Sequence, residues 1–282
     1  VKILRTKKEV DLELRLLQNK QISVGLVPTM GALHEGHLDL VRNAKESSGV
    51  VLVSIFVNPT QFNNSEDFEK YPHTLDKDLE LLDKIKTDYV FVPNIQVIYP
   101  HKPKVSMRFE GLDDILEGEF RPGHFNGVGI VVLKLLNIVK PQKAYFGQKD
   151  LQQVAIIKQL VADLSMDVEI VTLPTVREKS GLAMSSRNLR LSPEEKESAL
   201  VLFRSLIFAR DELLKGKDWF GIRTEVTDRF KSQGVELEYF EFVNTNTLEK
   251  LVKIESAVPS SVCTAAYVGQ VRLIDNMPVQ ED

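Results

Sequence analysis

Through the first 175 residues, short apolar runs rich in β-branched residues alternate with longer stretches of helical spacing. This alternation restricts the fold more than any other feature. Residues 22–27 end at Pro28, residues 50–57 at Asn58-Pro59, and residues 89–92 at Pro93; residues 144–146 precede Gly147, and residues 168–173 complete the set. Such short apolar runs bounded by turn residues predict buried strands. Between them, residues 34–45, 75–85, 128–139 and 150–164 carry apolar positions at helical spacing. Residues 1–20 predict one further helix, on Val10, Leu12, Leu14, Leu16 and Leu17. Strands that alternate with helices predict an α/β fold, a Rossmann-like doubly wound parallel sheet with helices on both faces. Its crossovers are right-handed, and its ligands lie beyond the carboxyl ends of the strands.

After Pro174 the pattern changes. Ser192-Pro193-Glu194-Glu195 is a helix start, with Pro at the first helical position and acids in the first turn. It predicts a long helix to residue 214, a second over residues 220–230, and strands near 237–243, 264–268 and 271–274. The chain therefore divides into a Rossmann-like domain over residues 1–175 and a smaller α+β domain over residues 176–282. The total of 282 residues agrees with two domains at about 150 residues each.

Composition excludes several function classes. A net charge of −4 argues against a diffuse nucleic-acid footprint, which needs clustered positive charge. A single cysteine, Cys263, excludes an intrachain disulfide, a four-cysteine zinc site and a CxxC redox motif, and it reads as a buried apolar residue. The first 20 residues are charged throughout, and there is no apolar run of roughly 18 residues. A cytoplasmic protein without a membrane span is expected.

Four polar clusters punctuated by Gly or Pro follow directly on the predicted strands: residues 28–37, 58–62, 147–150 and 175–178. All four belong to one rim of a parallel sheet, where α/β proteins build their sites. The first contains His34-Glu35-Gly36-His37. Three readings compete for the two histidines. A zinc site is weakened by the absence of HExxH spacing and of a nearby cysteine. A helix-start histidine can also simply bond backbone. A phosphate site joins the free N–H groups of a helix start, the close approach allowed by Gly31 and Gly36, and imidazole donors. No Walker A pattern is present at this cluster.

Residues 29–37 resemble the HxGH motif of the nucleotidyltransferase superfamily and, in its longer form, that of the pantothenate synthetase family. The likeness continues through residues 56–62, 121–125, 146–153 and 184–188 in the same order. The resemblance implies an ATP-dependent ligase in which pantoate is activated as its adenylate and β-alanine then displaces AMP. It implies catalytic roles for His37, His34, Lys149 and Arg187, with His37 the residue usually credited as proton donor. ATP would meet Met30, Gly31, His34, His37, Gly147, Lys149, Asp150, Val176, Met184, Ser185, Ser186 and Arg187. Gln61 and Gln153 would hydrogen-bond pantoate. Met184–Arg187 resembles the second phosphate motif of synthetase relatives, with Arg187 where many carry lysine. Magnesium is implied with ATP, and Asp78 is its expected anchor, although Lys77 interrupts the consecutive acids usual there. Arg121 and His124 stand in a Gly/Pro-rich segment suited to closing over the site. A homodimer is a further expectation. Two rivals remain at this point: a nucleotidyltransferase acting on a phosphate ester, and a nucleotide-binding regulator without catalysis.

Overall fold

A computed structural model describes residues 1–63 and 68–280. Strands β1 (Lys2–Leu4), β2 (Val24–Thr29), β3 (Val50–Ile55), β4 (Tyr89–Phe91), β5 (Lys143–Gly147) and β6 (Glu169–Leu173) form a six-stranded sheet in the order β1-β4-β3-β2-β5-β6. Every pairing in it is parallel. Helices α1 (Lys7–Asn19), α2 (Glu35–Ser47) and α3 (Leu75–Lys84) connect the first four strands. The short helices α4 (Ile95–Ile98) and α5 (Glu117–Phe120) then lead to α6 (His124–Val139), and α7 (Leu151–Asp163) joins β5 to β6. Two cores cover the two faces of the sheet: one joins α1, α6 and α7, the other α2 and α3. From β2 the chain moves outward to β3 and β4, then returns to place β5 on the other side of β2. That reversal is the topological switch point, where crevices open at the strand ends.

One expectation fails at the start of the chain. Residues 1–20 are not a single helix: β1 pairs with β4, Ile3 opposite Val90, before α1 begins. Thr6 caps α1 by accepting from the Glu9 amide at 3.2 Å, while the Glu9 carboxylate accepts from the Thr6 amide at 3.0 Å. This reciprocal box fixes the boundary. Val10, Leu14 and Leu17 then face the core, whereas Leu12 and Leu16 are exposed.

The C-terminal part carries α8 (Pro193–Leu214), α9 (Trp219–Ser232) and an antiparallel sheet of β7 (Glu236–Asn244), β8 (Ser260–Val268) and β9 (Val271–Gln280). Ser192 caps α8 as its sequence predicts. One face of this sheet packs on α8 and α9 through Phe240, Phe242 and Val262. The other face presents Tyr239, Val243, Cys263 and Ala265 to Leu116, Leu151 and Ala155 of the parallel-sheet part. The small sheet thus buries apolar residues on both of its faces, one of them against the parallel-sheet part.

Candidate active site

At the end of β2 the chain reverses through Gly31 at φ +81° and Ala32 at φ +50° before His34 opens α2. A residue with a Cβ is strained at the Gly31 angle. The turn is held by Thr29, whose Oγ1 donates to the Ser54 carbonyl at 2.8 Å and accepts from the Gly31 amide at 3.2 Å. Asp78 then accepts from the Ala32 amide at 2.9 Å, the Leu33 amide at 2.8 Å and the Thr74 hydroxyl. Successive N–H groups that converge in this way make an anion-binding concavity, and Asp78 fills it. Asp78, expected as the magnesium anchor, is 2% exposed, and both its oxygens face the loop's own donors. Burial raises its carboxyl above the ordinary range, against the pull of those amides.

His34 and His37 lie on the first turn of α2 with ring centroids 4.1 Å apart. The His34 amide donates to His37 Nδ1 at 3.3 Å. An accepting Nδ1 puts the proton of a neutral His37 on Nε2. Burial, then the neighbouring His34 and Lys149, hold His37 well below its ordinary value of 6.5. Burial and Lys149 likewise lower His34 to about 4, with Asp150 opposing. Both rings are therefore neutral donors near pH 7, not imidazolium ions.

A short turn, Pro59–Gln61, follows β3. Asn58 organises it: Nδ2 donates to Gln61 Oε1 at 3.0 Å and to the Gly127 carbonyl at 3.2 Å, while Oδ1 accepts from the Tyr99 hydroxyl at 2.9 Å. The Gln61 carbonyl meets His124 Nδ1 at 2.7 Å and the Arg121 guanidinium at 3.5 Å. In residues 121–125, read as a closing segment, Pro122 and Gly123 are exposed whereas His124 and Phe125 are buried. His124 is the first residue of α6 and is buried, and desolvation followed by Arg121 lowers it to about 3.

After β5, a single turn of Gln148–Asp150 carries Lys149, whose Nζ lies 3.9 Å from Asp150 Oδ1. Residues 176–184 form a small hairpin in which the Met184 amide donates to the Val176 carbonyl at 3.0 Å. Ser186 Oγ donates to the Ala32 carbonyl at 3.0 Å, which ties the second phosphate-like motif to the first.

These segments enclose a cavity of about 210 Å³ at the switch point. It brings together Met30, His34, His37, Gln61, Gly147, Lys149, Asp150, Gln153, Val176, Met184, Ser185, Ser186 and Arg187. Gly31 and Asp78 do not line it; they shape the loop behind it. A cleft of about 420 Å³ adjoins it through Lys149, Asp150, Ser185 and Arg187, and adds Arg121, Arg190 and Arg272. Sequence reasoning missed several residues that hold the site. Gln152 is buried and accepts from the Glu117 amide at 2.8 Å. Glu117 accepts from Arg272 and Tyr239, and Asn276 bonds the Lys149 turn. No local pattern marks these positions, because their partners lie 35 to 155 residues away. Among the described residues, no group of three or more His, Cys, Asp or Glu side chains forms a cation cage.

The family model for pantoate-beta-alanine ligase matches residues 2–278. The chain is 48% identical over 266 residues to a pantothenate synthetase of Caldicellulosiruptor bescii, with 94% of each chain covered. It is 45% identical over 286 residues to that of Bacteroides fragilis, with 100% of each covered. The crystal structure of pantothenate synthetase from Thermus thermophilus superposes with a TM-score of 0.93 at 37% identity, covering 100% of both chains. That of pantoate-beta-alanine ligase from Francisella tularensis, complexed with beta-gamma ATP and beta-alanine, gives 0.83 at 38% identity, covering 100% of this chain and 99% of the other. With a model match over nearly its whole length, laid on a switch-point cavity lined by the ordered motifs, the chain belongs to the pantoate–β-alanine ligase family.

Proposed function

We propose that this chain joins pantoate to β-alanine at the expense of ATP, and that the switch-point cavity does so through a bound pantoyl adenylate. The observation that carries this reading is the composition of the cavity: neutral imidazoles, a lysine and the Ser185–Arg187 turn line the same space as Gln61 and Gln153. Charged and imidazole donors suit phosphate, whereas amides suit a hydroxy acid. The Francisella relative's complex with an ATP species and beta-alanine supports the same substrates here.

In this reading a pantoate carboxylate oxygen attacks the α-phosphorus, and the bond to pyrophosphate breaks. The β-alanine nitrogen then attacks the acyl carbon, loses a proton and releases AMP. No side chain serves as nucleophile. His37 Nε2–H, His34, Lys149, Ser185, Ser186 and Arg187 neutralise charge that builds on phosphate oxygens. Met30, Gly147, Val176 and Met184 border the nucleotide, with Asp150 on its ribose or polyphosphate side. Magnesium would enter with ATP and supply charge neutralisation at the phosphates. The cover role of residues 176–282, a homodimer and a cytoplasmic location belong to the same reading; among the described residues, no helix is long and apolar enough to cross a membrane.

The test is pantoate-dependent exchange of labelled pyrophosphate into ATP without β-alanine. Exchange is expected, and its loss in His37→Ala should be roughly 10²–10³-fold. No exchange in a preparation that still makes pantothenate would refute the adenylate. Exchange at the wild-type rate in His37→Ala would remove His37 from the phosphate site.

A further inference from the structure

The turn that carries Lys149 has few local restraints. It is one turn of 3-10 helix between β5 and α7, and its N-cap residue, Gly147, has no side chain with which to cap it. Its carbonyls are instead held from the other half of the molecule. Asn276 Nδ2 donates to the Gln148 carbonyl at 2.9 Å and to the Lys149 carbonyl at 2.9 Å. Two acceptors on one side fix the amide's orientation, since an oxygen turned toward them would repel both. Asn276 is buried, and so is its strand neighbour Asp275.

The same two residues reach the second phosphate-like segment. Asp275 takes a bidentate pair of hydrogen bonds from Arg177 at 2.6 and 3.0 Å, and Arg177 also donates to the Asn276 carbonyl at 3.1 Å. The guanidinium lies 4.6 Å from the Phe203 ring centroid, so α8 fixes its second face. Arg177 directly follows Val176, the cavity residue whose carbonyl pairs with the Met184 amide. One point on β9 therefore grips both rims of the cavity, the Lys149 turn on one side and the 176–184 hairpin on the other.

We infer that Asn276 is a positioning residue for Lys149. The C-terminal sheet, through the Asp275–Asn276 pair, sets the location of the ammonium relative to the Ser185–Arg187 turn. Asn276 itself does not line the cavity that takes the substrates. Without its two bonds, the backbone under Lys149 loses its fixed support and the ammonium loses its registration with the α-phosphate. A displacement of about 1 Å in such a group costs up to roughly 10²-fold in rate. The inference rests on the phosphate role proposed above for Lys149.

A double-mutant cycle tests it, with single-turnover adenylation followed by pyrophosphate release. Asn276→Ala should slow adenylation roughly 10- to 100-fold in the wild-type background. In a Lys149→Ala background the same substitution should change the rate by less than about threefold, because its route of action is already gone. A loss that a general weakening of the fold produces would multiply through both backgrounds, and that result would overturn the inference. So would an Asn276→Ala enzyme within threefold of wild type. If Lys149→Ala alone keeps the wild-type rate, the phosphate reading of Lys149 is what has failed, and the positioning role falls with it. Should Asn276→Ala not fold, Asn276→Leu enters the cycle in its place; it deletes both donors while keeping the branching and heavy-atom count of the side chain.

Discussion

Glu117 offers the sharpest energetic test of how the two halves are joined. Its carboxylate is buried at the start of α5 and accepts two hydrogen bonds from Arg272, both at 2.8 Å. It also accepts from the Tyr239 hydroxyl at 2.9 Å and from Arg121 at 3.4 Å. Burial alone would raise this carboxyl, but the hydrogen bonds and charge of Arg272, then Arg121 and Tyr239, bring it down from 4.5 to about 2. At about 1.36 kcal/mol per pH unit, that gap corresponds to about 3 kcal/mol of stability. The sign follows from the depressed value: the contribution is complete above pH 4.5 and is lost as pH falls toward 2. Glu117→Gln keeps the shape and removes the charge. Arg121 and Arg272 then sit beside a neutral amide, although Glu238 still pairs with Arg272. Breaking a buried pair on one side costs about 3–5 kcal/mol, or roughly 5–9 °C in Tm for a chain of this size.

Urea unfolding of wild type and Glu117→Gln from pH 7 down to pH 3.5 measures this. The difference between them should be constant from pH 7 to about 5. It should then shrink by about 1.4 kcal/mol by pH 3.5, because the wild-type carboxylate is increasingly titrated in the unfolded chain. A difference below about 1 kcal/mol at pH 7 would refute the reasoning, since the pair would then contribute no more than a surface ion pair. A difference that stays constant down to pH 3.5 would locate the loss in packing, not in charge.

Two further substitutions probe the loops behind the cavity. Asp78→Asn deletes a charged acceptor for the Ala32 and Leu33 amides and should cost about 1–3 kcal/mol of stability with a fall in adenylation rate. The magnesium concentration at half-maximal rate should stay unchanged in that variant, and a marked rise would return Asp78 to the role of metal anchor. Gly127→Ala should act on pantoate binding: an added Cβ overlaps the Thr60 carbonyl and comes within 2.7 Å of the Gln61 nitrogen. Overpacking of this kind costs about 1–3 kcal/mol and pushes the Pro59–Gln61 turn outward. KM for pantoate is expected to rise at least tenfold with KM for ATP nearly unchanged, and equal effects on both would show that the turn does not select the acid.

What could be read from sequence divides along the range of the interactions. The switch-point residues were legible because each stands where a local apolar run gives out: Asn58, Gly147 and Pro174 close or follow strands on the sheet, and Pro28 lies one residue inside the end of β2, which runs on to Thr29. The error at residues 1–20 was also local. Thr6 and Glu9 spell a capping box that splits the segment, but three-residue β1 is too short to show a period of its own. The burial of Asp78 was hidden for a different reason. Its neighbours Asp76, Lys77 and Glu80 make the helix surface look solvated, and nothing in that surface reveals that the loop 45 residues upstream turns two amides toward it. The supports of Lys149 and Gln61 are less visible still. Asn276 and Gly127 act across 127 and 69 residues, and an asparagine in a strand or a glycine in a helix carries no distinguishing local pattern. Phosphate and acid contacts need donors that can be recognised by type, whereas the groups that hold those donors in place need only a complementary partner. The residues that fill this cavity are therefore recoverable from motif and strand-end position, while the residues that set its dimensions, above all the Asp275–Asn276 pair, become visible only when β9 is laid against the Lys149 turn.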